Sequence, residues 1–215
     1  MDCQHCCGAD QLFDLKGARK EMKKYQKKGP GKSTNKLLEK FNKTDIPGKS
    51  LLDIGGGIGA IQWYFQEHQA SKTTDIDASR GYLEVASQFA KKNGWGKKGN
   101  FIFGDITNLK EKIIPHDYVT LDKVVCCYPD YQSLLTTATE LCKDTLGLTF
   151  PLRNPISRIL ILLSRIYFYF RKNPFRTYIH SPENMSAFIQ TKGFKPVYQG
   201  ISFPWHVQVY KKIKE

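Results

Sequence analysis

The run Leu51-Leu-Asp-Ile-Gly-Gly-Gly-Ile-Gly-Ala60 constrains this chain more than any other feature. An apolar segment of strand length stops at a cluster of glycines, and a helical pattern starts at once. Gly55, Gly57 and Gly59 let the backbone turn sharply and approach a ligand with no side chain in the way, and the helix that follows offers unpaired amides at its first turn. The same alternation then continues. Strands are predicted at 50–54, 73–76, 100–103, 118–121 and 146–150, with helices at 60–69, 80–92 and about 132–143. Such alternation predicts a parallel sheet covered on both faces. After it come a helical, Arg-studded segment at 156–170, a helix capped by Ser181 with Pro182 at its first position, and strands at 194–199 and 207–211. In front lie two predicted helices, 10–25 and 34–41, separated by the Gly29–Gly31 turn.

The expected fold is therefore α/β, a Rossmann-like doubly wound, mostly parallel seven-stranded sheet with an N-terminal helical cap. The cap is placed at 1–49 and the sheet domain at 50–215, with a basic helical insertion at about 153–180. A length of 215 residues suits one structural unit, and 40% hydrophobic residues exclude a disordered chain. The uncharged run Ile159–Ser164 is closed by Arg158 and Arg165, far short of the roughly 20 residues of a membrane span. The N-terminus carries neither a basic leader nor an apolar run of signal length, so a cytoplasmic location and free thiols are expected.

The ligand at the glycine loop is decided by its acids. Asp77, at the end of the second strand, can accept from both hydroxyls of a ribose, which suits a dinucleotide and other nucleosides alike. Asp53, inside the first strand end, and Gly104-Asp105, just after the third strand, discriminate. A dinucleotide places its pyrophosphate on the glycine loop, where Asp53 would repel it, whereas a cofactor bearing cationic groups is favoured there. The stretches LLDIGGGIG, DIDASRGYLEVA, FIFGDITNL and HDYVTLDKVVCCYPD together resemble the ordered motifs of class I S-adenosylmethionine-dependent methyltransferases. The resemblance implies that Asp53, Gly55, Gly57 and Gly59 surround the methionine moiety, that Asp77 holds the ribose, and that Asp105 with Ile106 addresses the adenine. Ala78, Gly104 and Asp122 complete the implied cofactor set. A cofactor-binding regulator without activity and an NAD-dependent oxidoreductase remain the alternatives.

Other motifs point elsewhere. Gly29-Pro-Gly-Lys-Ser-Thr34 imitates a phosphate loop, but Gln26 stands where its first glycine belongs and a helix precedes it. Cys3, His5, Cys6 and Cys7 resemble half of a zinc site without a second half, so no metal is expected. Cys126 and Cys127 suit small buried positions, and His68 and His116 suggest only surface roles. In the loop after the fourth strand, Tyr128 and Asp130 are candidates for substrate contact. Tyr128 and His180 are the candidate catalytic residues, His180 being a possible base or a ligand of the helix end beside it.

Charge is unevenly spread: residues 1–50 hold 12 Lys and Arg against 6 acids, 51–150 hold 10 against 12, and 151–215 hold 11 against 2. Such basic ends favour an anionic partner, and Arg grips a carboxylate or phosphate in a planar fork. Arg153, Arg158 and Arg165 are thus candidates for binding a small anionic or hydrophobic substrate. Arg158, Arg165 and Lys172 repeat every seven residues, opposite Ile159, Leu160, Leu163, Ile166 and Phe170. That pattern fits a lid, a helix resting on an acidic membrane, or a core helix with solvated arginines. The region containing YIHSPENMSAFIQTKGF loosely resembles magnesium-protoporphyrin O-methyltransferases, which implies a flat, hydrophobic, anionic substrate. No aromatic-basic repeat supports nucleic acid as a partner.

Overall fold

The computed structural model describes residues 4–214, with side chains from Cys7 onward. Three helices come first: α1 (Gln4–Leu12), α2 (Leu15–Lys28) and α3 (Lys32–Leu38). The sheet then begins, β1 (Ser50–Ile54), α4 (Ala60–Glu67), β2 (Lys72–Asp77), α5 (Arg80–Lys92), β3 (Gly99–Phe103), α6 (Ile106–Leu109) and β4 (His116–Asp122). It continues with α7 (Tyr131–Glu140), β5 (Cys142–Pro151), α8 (Pro155–Phe170), α9 (Pro182–Thr191), β6 (Phe194–Ser202) and β7 (Trp205–Lys212). The seven strands lie in the order β3-β2-β1-β4-β5-β7-β6. Strands β1 to β5 are parallel, whereas β7 runs antiparallel to both β5 and β6. The sheet is thus doubly wound and mostly parallel, with a closing hairpin.

The strand order places the carboxyl ends of β1, β2, β3 and β4 side by side, at the crevice where the connections switch direction and where such sheets bind ligands. Two apolar layers hold it. On one face Leu52, Leu121, Leu148, Met185 and Phe194 are buried together; on the other Leu37, Phe41, Leu51, Phe65 and Val209 are. Each fully buried large side chain contributes roughly 1.5–3 kcal/mol, so the central strands are fixed in register by many such groups.

Several expectations are corrected. The first predicted helix is two helices, because the Asp14 side chain accepts from the Gly17 amide at 2.7 Å and so caps a new start at Leu15. The helix expected to reach 143 ends at Glu140, since Cys142 already pairs with His116 in the sheet. His116 is no surface residue: it is buried at the start of β4, with Nε2 3.0 Å from the Thr74 hydroxyl and Nδ1 2.7 Å from the Ile114 carbonyl. In α8 only Ser157 and Phe168 are buried. Of the three readings left open for this segment, the core helix is removed, because its apolar face points to solvent. Among the described residues no helix is long and apolar enough to cross a membrane.

Candidate cofactor site

The glycine loop joins β1 to α4. Gly55 and Gly59 sit at φ of +65° and +85°, and an added Cβ would meet a Val124 methyl and the Trp63 ring, each at 2.4 Å. These two glycines are therefore required by the protein's own packing. Gly57 differs, because a Cβ there would meet nothing closer than the Tyr82 ring at 3.5 Å.

The loop amides are already engaged by carboxylates. Gly57 N–H donates to Asp77 Oδ2 at 3.0 Å, Ser79 N–H donates to Asp77 Oδ1 at 2.8 Å, and Gly56 N–H donates to Asp75 Oδ1 at 3.2 Å. Asp75 was not foreseen from the sequence. In the parallel register it lies directly opposite Asp53, which in turn faces Thr120, whose hydroxyl donates to Asp53 Oδ1 at 2.7 Å. Both acids are almost wholly buried, and Asp53 Oδ2, Asp75 Oδ2 and both polar atoms of the Gln62 amide lack a hydrogen-bond partner. Burial, with help from the neighbouring acids Asp122 and Asp77, raises Asp53 from 3.8 to about 7. Burial likewise raises Asp75 and Asp77.

On the next strand end, Gly104 at φ +153° leads into Asp105, which caps the short α6 that starts at Ile106. Asp105 Oδ1 accepts from the Thr107 amide at 2.9 Å and from the Tyr128 hydroxyl at 2.8 Å. Tyr128 is thereby joined to the implied adenine contact. His180 places Nε2 2.9 Å from the Tyr128 carbonyl, and a carbonyl only accepts, so that nitrogen carries the proton. Burial lowers the His180 pKa, and its ring packs against Tyr131 at 4.8 Å between centroids. The Tyr178 amide bonds the Cys126 carbonyl at 2.7 Å, so residues 178–180 lie along the loop after β4.

Not every expected site residue gathers here. Asp122 stays near Asp53 at the end of β4, but its carboxylate is engaged within the chain, accepting from Thr34 at 2.6 Å and from Lys123 at 3.1 Å and tying α3 to that strand end. Asp130 is the exposed cap of α7, accepting from Gln132 and Ser133 amides at 3.1 Å. Arg153 is exposed, and Arg158 and Arg165 flank a shallow hollow of α8 with Ile161, Leu162 and Ile179. Cys126 is buried and Cys127 half-buried. Cys3 lies outside the described residues, and the side chains of His5 and Cys6 lie outside them as well.

The N-terminal helices roof the crevice. Ser79 Oγ donates to the Phe13 carbonyl, Arg80 pairs with Asp10, and Tyr82 donates to Glu21 at 2.8 Å. Ala9, Phe168 and Phe175 form a buried cluster against Leu12, Ala78 and Cys127, so apolar cover spans the ends of β2 and β4.

The methyltransferase domain family matches residues 52–145, a span that contains the glycine loop and all of these acids. Such a domain implies S-adenosylmethionine as its cofactor. Magnesium protoporphyrin IX methyltransferase from Synechocystis PCC 6803, solved with bound SAH, has a similar structure at TM-score 0.68 and 16% identity, over 84% of this chain and 81% of that one. An O-methyltransferase family 2 protein from Planctomyces limnophilus DSM 3776, in complex with apigenin, gives TM-score 0.68 and 18% identity, over 93% of this chain and 62% of that one. A putative sarcosine dimethylglycine methyltransferase from Galdieria sulphuraria gives TM-score 0.64 and 10% identity, over 84% of each chain. These likenesses establish the fold. A comparison with curated protein sequences returns no match.

Proposed function

We propose that this methyltransferase domain binds S-adenosylmethionine in the glycine-loop crevice and methylates a small anionic or hydrophobic molecule. The observation that carries this reading is the engagement of the Gly56 and Gly57 amides by Asp75 and Asp77. A pyrophosphate would need those donors and would meet three carboxylates, whereas a ligand with an ammonium and a sulfonium finds complementary charge.

In this reading Asp77 holds the ribose, Asp105 with Ile106 holds the adenine, and the Asp53 and Asp75 pair lies under the methionine end, where the cationic groups of a bound cofactor favour the ionised forms that burial disfavours. The chemistry that S-adenosylmethionine supplies is a sulfonium methyl open to in-line displacement, which depends mostly on orientation and exclusion of water. Tyr128 positions Asp105 through its hydroxyl, and His180 positions Tyr128 through the backbone. Neither is assigned as a base, because both polar ends already have partners in the chain. Phe13, Phe168 and Phe175 keep water from the crevice. An acceptor with its own carboxylate or phenolate oxygen needs no base.

The test is incubation of the full chain with S-adenosylmethionine and panels of carboxylic acids and phenols, following S-adenosylhomocysteine by mass spectrometry. Product formation with at least one acidic acceptor is expected. Cofactor binding without turnover across both panels would favour the regulator reading.

A further inference from the structure

Helix α8 is amphipathic in the inverted sense. Its polar side faces the chain: Ser157 is buried, and Ser164 Oγ lies 3.1 Å from the Thr177 hydroxyl. Nine apolar or aromatic side chains between Ile156 and Phe170 are instead 47–78% exposed. At 3.6 residues per turn they occupy one continuous half of the helix circumference. The largest apolar patch of an ordinary soluble monomer is about 300–600 Å², and large contiguous apolar faces rimmed by polar residues mark interaction sites. Arg158 and Arg165 border this face on one side and Arg171 on the other. From Thr145 to Pro182 the chain has six Lys and Arg and no acid.

We propose that α8 lies in the plane of an anionic lipid surface, its apolar face in the acyl boundary and its bordering arginines among the head groups. Charge complementarity selects this occupant. A second copy would bring one basic rim against another, with no acid on α8 to meet either. At about 24 Å the helix is shorter than the roughly 30 Å of a hydrocarbon core, so it rests on the surface and does not span it. The apolar face with basic borders is the pattern of an interfacial helix. The C-terminal part of α8 also packs, through Phe168, on Phe175, Ala78 and Cys127 beside the crevice. Seating α8 therefore brings the crevice close to the lipid, where a hydrophobic acceptor would concentrate.

The test is cosedimentation of the full chain with vesicles of phosphatidylcholine alone or mixed equally with phosphatidylglycerol. Salt is varied from about 0.1 M, where exposed charges are screened beyond about 10 Å, to about 1 M, where they are screened beyond about 3 Å. Binding to the anionic vesicles at least tenfold tighter than to phosphatidylcholine, weakening as salt rises, is expected. Leu160→Glu with Leu163→Glu should reduce it at least tenfold, and Arg158→Gln with Arg165→Gln several-fold with a flatter salt dependence. Circular dichroism confirms that the variants fold, and the salt titration of the unaltered chain stands even if one does not. A chain that stays in the supernatant with both vesicles at low salt overturns the proposal. So does a folded leucine variant that binds undiminished, or a concentration-dependent dimer that the leucine variant disperses without any vesicle binding. The proposal holds whichever small molecule fills the crevice, so its failure leaves the methyl-transfer reading intact.

Discussion

Asp53→Asn tests the buried acid pair directly. Asp53 lies opposite Asp75 with one oxygen on Thr120 and the other without a partner, and burial raises it from 3.8 to about 7. A carboxyl that titrates at about 7 folded and 3.8 unfolded keeps its proton in the native chain over that interval and loses it in the unfolded one. Below 3.8 both states are protonated and the group has no effect. As pH rises from about 4 to about 7 the native state is increasingly disfavoured, by up to about 4 kcal/mol, and above 7 the penalty is constant. Asparagine keeps the shape and still accepts from Thr120, but cannot ionise. Denaturant melts of the ligand-free chain at several pH values from 4.5 to 8 should show the variant gaining stability over the parent, the gain growing to a plateau near pH 7. S-adenosylhomocysteine binding measured above pH 7, where Asp53 is ionised in the parent, should weaken in the same variant, since that negative charge under the methionine end is gone. Stability curves that run parallel across this range would refute the argument that burial, not solvation, governs Asp53.

Other outcomes are equally open to measurement. Asp77→Ala removes the acceptor of two backbone amides and of the proposed ribose bonds; calorimetry should show S-adenosylhomocysteine binding weakened by about 1.5–3 kcal/mol, roughly 10- to 150-fold. Tyr128→Phe removes the hydroxyl that donates to Asp105, and should weaken the same ligand by about 0.5–1.5 kcal/mol while leaving the melting temperature nearly unchanged. Gly59→Ala places a Cβ 2.4 Å from the Trp63 ring at φ +85°, so chemical denaturation should report a loss of about 2–4 kcal/mol even without ligand. Asn173→Ala deletes the buried amide that donates to the Gly8 carbonyl and accepts from Phe175 N–H, and hydrogen exchange of the α1 amides should quicken by one to two orders of magnitude.

The parallel strands and the glycine loop were legible because their signals are local: an apolar run, a glycine cluster, a capped helix. What depends on register was not. Asp53 and Asp75 are 22 positions apart, and nothing in either segment says that β1 and β2 align them. His116 reads as a surface residue until β4 is seen to begin there and to set its ring against Thr74. The periodicity of α8 gives an apolar face but not its direction. That direction is set by Ser157, Ser164 and Phe168 packing inward, side chains too few and too mixed to stand out in a linear pattern. Tyr128 was recognisable as a loop residue near the chemistry, while its bond to Asp105 joins strands β3 and β4 across space.

The central claim is that the acids beneath the glycine loop select a nucleoside that carries an ammonium group over a dinucleotide that carries a pyrophosphate. Isothermal titration of the full chain with S-adenosylhomocysteine and, separately, with NAD measures that selection directly. The account predicts saturable binding of S-adenosylhomocysteine, strongly weakened by Asp77→Ala, with NAD at least a hundredfold weaker. NAD binding as tight as or tighter than S-adenosylhomocysteine would contradict it.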